Sequence, residues 1–249
     1  MQADPIKGGA ERVLFILSVL ARLGRSVSMT DLISETGLAK STLYRQLALL
    51  KRWGFIIDSN NEYLPGPMCV SLAWGFEQSS YLRQEAREEL EQLSTSSNES
   101  AGLMVAVNNQ VVCLEMIESR QPLRCSFVKG RSLPLLSGAS AKALLAFMAK
   151  DRQRAALKDL QTRNLITDES RTALEGELAQ IQTQGYACSI SEVDEGVWGV
   201  SAPIFQQTSH AIAVVTLMVP STRIENRTQN LISMTTRVAA RISSRLQSH

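Results

Sequence analysis

The chain has 249 residues, 44% of them apolar and 20% charged, which accommodates two domains with buried cores and excludes a globally disordered polymer. A formal net charge of +2 neither requires nor forbids a nucleic-acid partner. No stretch approaches the roughly 20 apolar residues that cross a bilayer, and the four cysteines (Cys69, Cys113, Cys125, Cys188) contain no Cys-x-x-Cys pair. The expectation is a cytoplasmic protein with reduced thiols, no secretion signal at Met1–Pro5, no membrane span and no metal.

Helical periodicity begins at Glu11 and runs to Leu23, with Val13, Leu14, Ile16, Leu17, Leu20 and Ala21 on one stripe and Gly24 closing it. Ser28 or Thr30 caps a short helix ending near Thr36, and Gly37 supplies the backbone freedom for a tight turn. A third helix is expected from Ala39 to Trp53, with Leu43, Leu47 and Leu50 inward and Gly54 as a left-handed stop. Phe55–Ile57 and Glu62–Leu64 read as strands around Asp58-Ser-Asn-Asn61, whose residues tolerate positive φ. Helix, helix, turn, helix, hairpin is the order of a winged helix-turn-helix. This sets a DNA-binding domain at residues 6–66, ended by Pro65-Gly66-Pro67.

Residues 67–80 are expected to form a linker helix; Met68–Gln78 is apolar on several sides and should pack against something. The second domain is set at 81–249. A helix from Tyr81 to about Ser94 presents Leu82, Ala86, Leu90 and Leu93 on one face. Leu103–Val107 and Val111–Ile117 flank the hairpin signal Asn108-Asn109, and Leu123–Val128 is a third candidate strand. Helices are expected over Ala141–Lys150, Arg152–Leu160 and Glu169–Gln184, strands over Val197–Phe205 and Ala211–Val219, and a final helix near Glu225–Leu246. Strands and helices without strict alternation predict an α+β fold: a winged helix-turn-helix, then a domain with a mostly antiparallel sheet and flanking helices.

The sharpest motif is Thr36-Gly-Leu-Ala-Lys-Ser-Thr-Leu-Tyr-Arg-Gln-Leu47. Residues 36–54 carry Lys40, Arg45, Lys51 and Arg52 and no acidic residue, whereas residues 67–249 carry 18 basic and 18 acidic residues. On the third helix, Lys40, Ser41, Thr42, Tyr44 and Arg45 fall opposite Leu43 and Leu47, as a helix entering the major groove requires. Arg45 suits bidentate contact with guanine edges, and Lys40, Ser41 and Thr42 suit phosphates. Asn60 and Asn61 at the wing tip are placed to reach the flanking DNA backbone. A phosphate-loop reading of Gly37–Ser41 fails, because no glycine precedes Lys40 where that motif needs one.

Residues 11–66 resemble the winged-helix domain of the isocitrate-lyase-regulator (IclR) family. The matching stretches are Glu11-Arg-Val-Leu-Phe-Ile-Leu17, Thr36–Arg45 and Gly54-Phe-Ile-Ile57. The resemblance continues in order through Gly130-Arg-Ser-Leu-Pro-Leu135, Ala141-Lys-Ala-Leu-Leu-Ala146, Gly185-Tyr186 and Ser201-Ala-Pro203. It implies a GAF-like effector domain, binding of a palindromic operator in double-stranded DNA as a homodimer or homotetramer, and control, usually repression, by a small-molecule effector. By position it also implies an effector site of Leu133, Ala139, Ser140, Ser189, Gly199, Thr216 and Met218. Cys125 and Phe127 join these on strand alternation.

Amides near Ala139 and Ser140, at an expected helix N-terminus, suit a carboxylate. Members that take small keto acids or a metal often carry an acidic residue where Ser189 stands and a cysteine where Gly199 stands. Leu136, Ala141 and Met218 also depart from the usual histidine, glycine and small polar residue. These departures point away from glyoxylate, pyruvate or metal and towards a larger or more apolar carboxylate, or a sugar acid.

No catalytic set is expected. His210 sits in a polar turn, His249 is terminal, Ser140 reads as a helix cap, and Glu192, Asp194 and Glu195 read as a solvated loop. Trp74 and Trp198 are assigned to packing or a subunit interface. The rival readings are a metabolic enzyme with an accessory winged helix, an activator, and an adaptor whose winged helix binds protein.

Overall fold

The computed structural model describes residues 8–247; residues 6 and 249, the outer bounds of the expected domains, and the terminal His249 lie outside that range. The chain divides into two compact units, one up to Ser80 and one from Tyr81.

The first unit runs α1 (Gly9–Leu23), β1 (Val27–Ser28), α2 (Met29–Thr36), α3 (Lys40–Arg52), β2 (Ile56–Ser59), β3 (Glu62–Pro65) and α4 (Pro67–Ser79). Ser28 is the cap of α2: its hydroxyl accepts from the Asp31 amide, and the Asp31 carboxylate accepts from the Ser28 amide at 3.0 Å. Gly24 and Gly37 end α1 and α2 in the left-handed region. β2 and β3 pair through Ser59 and Glu62, leaving Asn60 (φ 52°) and Asn61 (φ 64°) as a two-residue turn of the kind that matches strand twist. Val27 and Ser28 add a third strand that the sequence pattern had left out; two residues are too few to show a period.

Ile16, Val19, Leu20, Leu32, Leu43, Leu47, Leu50 and Ile56 close one small core. Two residues of the expected α1 stripe are corrections: Leu14 is 66% exposed and Ala21 is exposed, while Val19 is buried in their place. Gly66 is demanded by close approach, since a Cβ there would lie 2.3 Å from the Gly54 carbonyl oxygen. The first turn of α4 is tied to this unit by Met68 N–H to Gly54 O (3.1 Å) and Gly66 N–H to Phe55 O (2.8 Å). None of the residues of α4 is buried.

The second unit runs α5 (Tyr81–Ser97), β4 (Ser100–Val107), β5 (Gln110–Ile117), β6 (Ser132–Pro134), α6 (Ala139–Phe147), α7 (Lys150–Thr162), α8 (Asp168–Gln184), β7 (Ala187–Ile190), β8 (Val197–Phe205), β9 (Ala211–Pro220) and α9 (Thr228–Gln247). Six strands form one sheet in the order β6-β5-β4-β9-β8-β7, and every pairing is antiparallel. α5 and α9 cover one face. The other packs against α6, with α7 and α8 behind it.

Strand alternation assigns side chains to the two layers. On β9, Ala213, Val215, Leu217 and Val219 join the α5–α9 core, while Val214 joins the α6–α8 core. On β8, Trp198, Val200, Ala202 and Ile204 point to the α5–α9 side, so Gly199 and Ser201 fall on the opposite face.

Three expectations in this unit are corrected. Leu123–Val128 is irregular and joins no ladder: β6 pairs with β5 only at Gln110–Val112, and Leu123 (62%) and Val128 (66%) are exposed. The break between α6 and α7 falls at Met148-Ala149, both extended, so Lys150 opens α7 rather than closing α6. β6 and β7 are strands that the pattern did not mark, three and four residues long and held by their neighbours.

Candidate functional site

In the first unit, α3 turns Leu43, Gln46, Leu47 and Leu50 into the core. Lys40, Ser41, Tyr44 and Arg45 are exposed together on the opposite side, and Thr42 is half-buried between the faces. The Lys40 ammonium lies 5.8 Å from the Tyr44 ring centroid. The N-cap Ala39 makes no side-chain cap, and the first turn carries no acidic residue. The helix therefore presents open amides and the positive end of its dipole beside Lys40, Ser41 and Thr42. Asn60 and Asn61 are exposed at the tip of the β2–β3 hairpin.

In the second unit a cavity of about 530 Å³ opens on the α6 face of the sheet. Its lining includes all nine residues that the sequence singled out. β9 contributes Thr216 and Met218, β8 contributes Gly199, β7 Ser189, the first turn of α6 Ala139 and Ser140, and β6 Leu133. Cys125 and Phe127 also line it, but from an irregular segment, so the alternation used to select them is not its geometry. Val193, Asp194, Glu195, Arg124 and Arg131 line it as well. They lie on loops, and the sequence did not mark them as lining residues, although Arg131 stands within the Gly130–Leu135 motif.

The polar contacts at the cavity floor are specific. Gly138 N–H donates to Glu192 Oε2 (2.9 Å) and Ala139 N–H to Ser189 Oγ (2.9 Å). Ser140 Oγ lies 3.0 Å from Thr216 Oγ1, which lies 2.8 Å from Ser201 Oγ. Ser140 is thus not a helix cap: the N-cap is Gly138, and Ser140 sits inside the first turn bonded across to β9. Glu192 lies on an exposed loop, as expected, but is paired there. Its Oε1 accepts from the buried Lys142 ammonium at 2.6 Å, and Glu177 accepts from the same ammonium at 2.7 Å. Burial pulls the Lys142 pKa down, but the two carboxylates outweigh it and the net shift is upward. Of the α6 N-terminal amides, those of Gly138 and Ala139 are therefore already bonded within the protein, leaving Ser140 and Ala141.

Burial, helped by the Glu115 carboxylate, pushes the Cys113 thiol up to about 12, and burial raises Cys125 and lifts Cys188 to about 11. The two thiols lining the cavity, Cys113 and Cys125, are therefore neutral and weakly reactive near pH 7. Among the described residues no group of three His, Cys, Asp or Glu side chains is placed to hold a metal ion. His210 lies in the exposed turn between β8 and β9, apart from the cavity lining. Trp198 is buried in the α5–α9 core, whereas Trp74 is 65% exposed. No helix is long and apolar enough to cross a membrane among the described residues.

Residues 76–244 match the model of the bacterial transcriptional regulator IclR C-terminal domain, and residues 9–56 match the IclR helix-turn-helix domain. The HTH-type transcriptional regulator XynR of Escherichia coli K12 is 30% identical over 226 residues, covering 89% of this chain and 90% of the relative. A crystal structure of an IclR transcriptional regulator from Silicibacter sp. TM1040 superposes with a TM-score of 0.82 at 23% identity, over 96% of both chains. An IclR homolog from Microbacterium hydrocarbonoxydans, crystallised with 4-hydroxybenzoate, superposes with a TM-score of 0.72 at 19% identity, over 97% of this chain and all of the other. With both of its units accounted for, the chain belongs to the IclR family of transcriptional regulators, joining a DNA-binding helix-turn-helix domain to an effector-binding C-terminal domain.

Proposed function

We propose that the protein is a homo-oligomeric cytoplasmic repressor that holds a palindromic operator and changes its grip when a small carboxylate enters the α6-side cavity. The observation that carries the effector reading is the convergence of Leu133, Ala139, Ser140, Ser189, Gly199, Thr216 and Met218 on one cavity of about 530 Å³. That volume falls in the range of pockets for mid-sized ligands and is generous for a two- or three-carbon acid. Cys125, Phe127, Leu133 and Met218 supply apolar walls, and the open amides of Ser140 and Ala141 offer donors to an anion. An aromatic or otherwise extended carboxylate, the class to which the Microbacterium ligand belongs, fits this combination.

For the DNA end, Arg45 and Tyr44 read bases, Lys40, Ser41 and Thr42 hold phosphates, and Asn60 and Asn61 touch the flanking backbone. The oligomer reading rests on α4, where Val70 (71%), Leu72 (58%), Trp74 (65%) and Phe76 (47%) are exposed in one chain. Side chains of that size left in water mark a surface that another subunit covers. Two such subunits place two α3 helices on successive turns of a palindrome. Repression follows if the bound oligomer occludes transcription until effector shifts the population away from the DNA-competent geometry.

The test is selection of fragments bound by the purified protein from random and genomic DNA, repeated with candidate carboxylates. An enriched palindrome whose occupancy falls on adding an acid supports the whole reading. Occupancy that rises instead converts repressor into activator, and folded protein that enriches no sequence under any condition overturns the operator assignment.

A further inference from the structure

Ser140, Thr216 and Ser201 form a chain of three buried hydroxyls, 8%, 2% and 0% exposed, with links of 3.0 and 2.8 Å. Three hydroxyls carry three protons, and two links use two of them. The direction of the chain therefore decides which end retains a free donor. Ser201 faces Thr216 across the β8–β9 ladder, is fully buried, does not line the cavity, and has no hydrogen-bond partner besides Thr216 among the described residues. If the chain ran from Ser140 towards Ser201, the Ser201 proton would be stranded in the core, at the full desolvation cost of an orphaned donor. With Ser201 donating to Thr216, one proton of the Ser140–Thr216 pair closes their own link and the other stays free on one of these two hydroxyls, both of which line the cavity.

We propose that Ser201, a residue that does not line the cavity, sets the hydrogen-bond polarity of the effector site by fixing the Ser140–Thr216 hydroxyl pair as a donor. Ser189 acts in the same sense. Its oxygen accepts from the Ala139 amide, so its proton is also free at the cavity wall. With the Ser140 and Ala141 amides, the floor becomes a cluster of donors; of the carboxylates lining the cavity, Glu192 is already bonded to Gly138 and Lys142, and Asp194 and Glu195 stand on the exposed loop that follows it. Such a floor takes an acceptor-only group and disfavours a ligand end that brings its own N–H. The inference rests on the effector reading above and adds a specificity residue to it.

Calorimetry on the full chain with matched acid and primary-amide pairs tests it, using benzoate and benzamide, 4-hydroxybenzoate and 4-hydroxybenzamide, and gluconate and gluconamide. Wild type should bind the acid of at least one pair about tenfold or more tighter than its amide. Ser201→Ala removes the donor that enforces the direction, so that ratio should shrink about fivefold or more, chiefly through tighter amide binding. Ser201→Cys, a weak donor of similar size, should fall between. Equal loss of acid and amide binding in Ser201→Ala would mark a merely structural role and overturn the proposal, as would an unchanged ratio; both leave the carboxylate reading standing. If no acid of the set binds wild type, the carboxylate reading falls and the polarity proposal with it. Unliganded melting curves of the variants establish that they are folded.

Discussion

Arg45 and Lys40 are five residues apart on α3, yet they are expected to fail differently. Arg45→Ala should lower affinity for the selected operator by about tenfold or more and spare random DNA, the behaviour of a base contact. Lys40→Ala should weaken both DNAs alike and flatten the dependence of log affinity on log salt by about one phosphate contact. Fluorescence anisotropy over a salt series measures both, and equal losses on both DNAs for both variants would refute the division of labour. Gly199 carries a different lesson. Its backbone is outside the left-handed region, and an added Cβ would meet Ala139 Cβ and Ser189 Oγ at an ordinary 3.6 Å, so the glycine leaves space rather than relieving strain. Gly199→Ala should keep or slightly raise the melting temperature, because alanine restricts the unfolded chain, while weakening the bulkiest effector most. A fall in stability, or an unchanged ranking of effectors by size, would refute that. The residues that line the cavity by position were legible because they stand beside motifs. Glu192 was not, since its partner Lys142 is 50 residues away and nothing local distinguishes a solvated acid from a paired one.

Among the elements, α2 opens on a complete capping box. The Ser28 amide, then Arg25 and the Ser28 hydroxyl, hold the Asp31 carboxyl down from 3.8 to about 2. A carboxyl depressed in the folded state stabilises above its unfolded pKa, and that contribution is lost as the pH falls from about 4 towards 2. Asp31→Asn should therefore lower the melting temperature at pH 7 and flatten the acid limb of the stability curve in that window. Ser28→Ala should cost about 1 kcal/mol. Parallel melts from pH 7 to 2 check both, and an Asp31→Asn acid limb as steep as wild type would refute the linkage. The helices were legible because a 3.6-residue period repeats over several turns, though not to their ends, as the break between α6 and α7 shows. The short strands were not: β1, β6 and β7 have two to four residues each and exist because a neighbour supplies their hydrogen bonds. Leu123–Val128 shows the converse, a strand-like sequence that joins no ladder.

For the molecule as a whole, α4 is the segment whose chemistry one chain leaves unsatisfied. Trp74→Glu should shift the mass measured by light scattering towards the monomer and cost the avidity of a two-half-site operator, with little change in melting. Retention of both mass and operator affinity would remove α4 from the assembly interface. The effect expected is large, because a palindrome read by a single subunit loses one of two base-reading helices.

The order of helices and hairpin, the polar row on α3 and the asparagine turns at 60–61 and 108–109 are all written along the chain. Each depends on periodicity or on the φ preference of single residues, both local properties. The occupied amides of Gly138 and Ala139, the Lys142 clamp on Glu192 and the hydroxyl chain from Ser201 to Ser140 are set by contacts between residues distant in the chain. Which donors and edges remain free is a property of the packed fold, because each depends on what else has already bonded there.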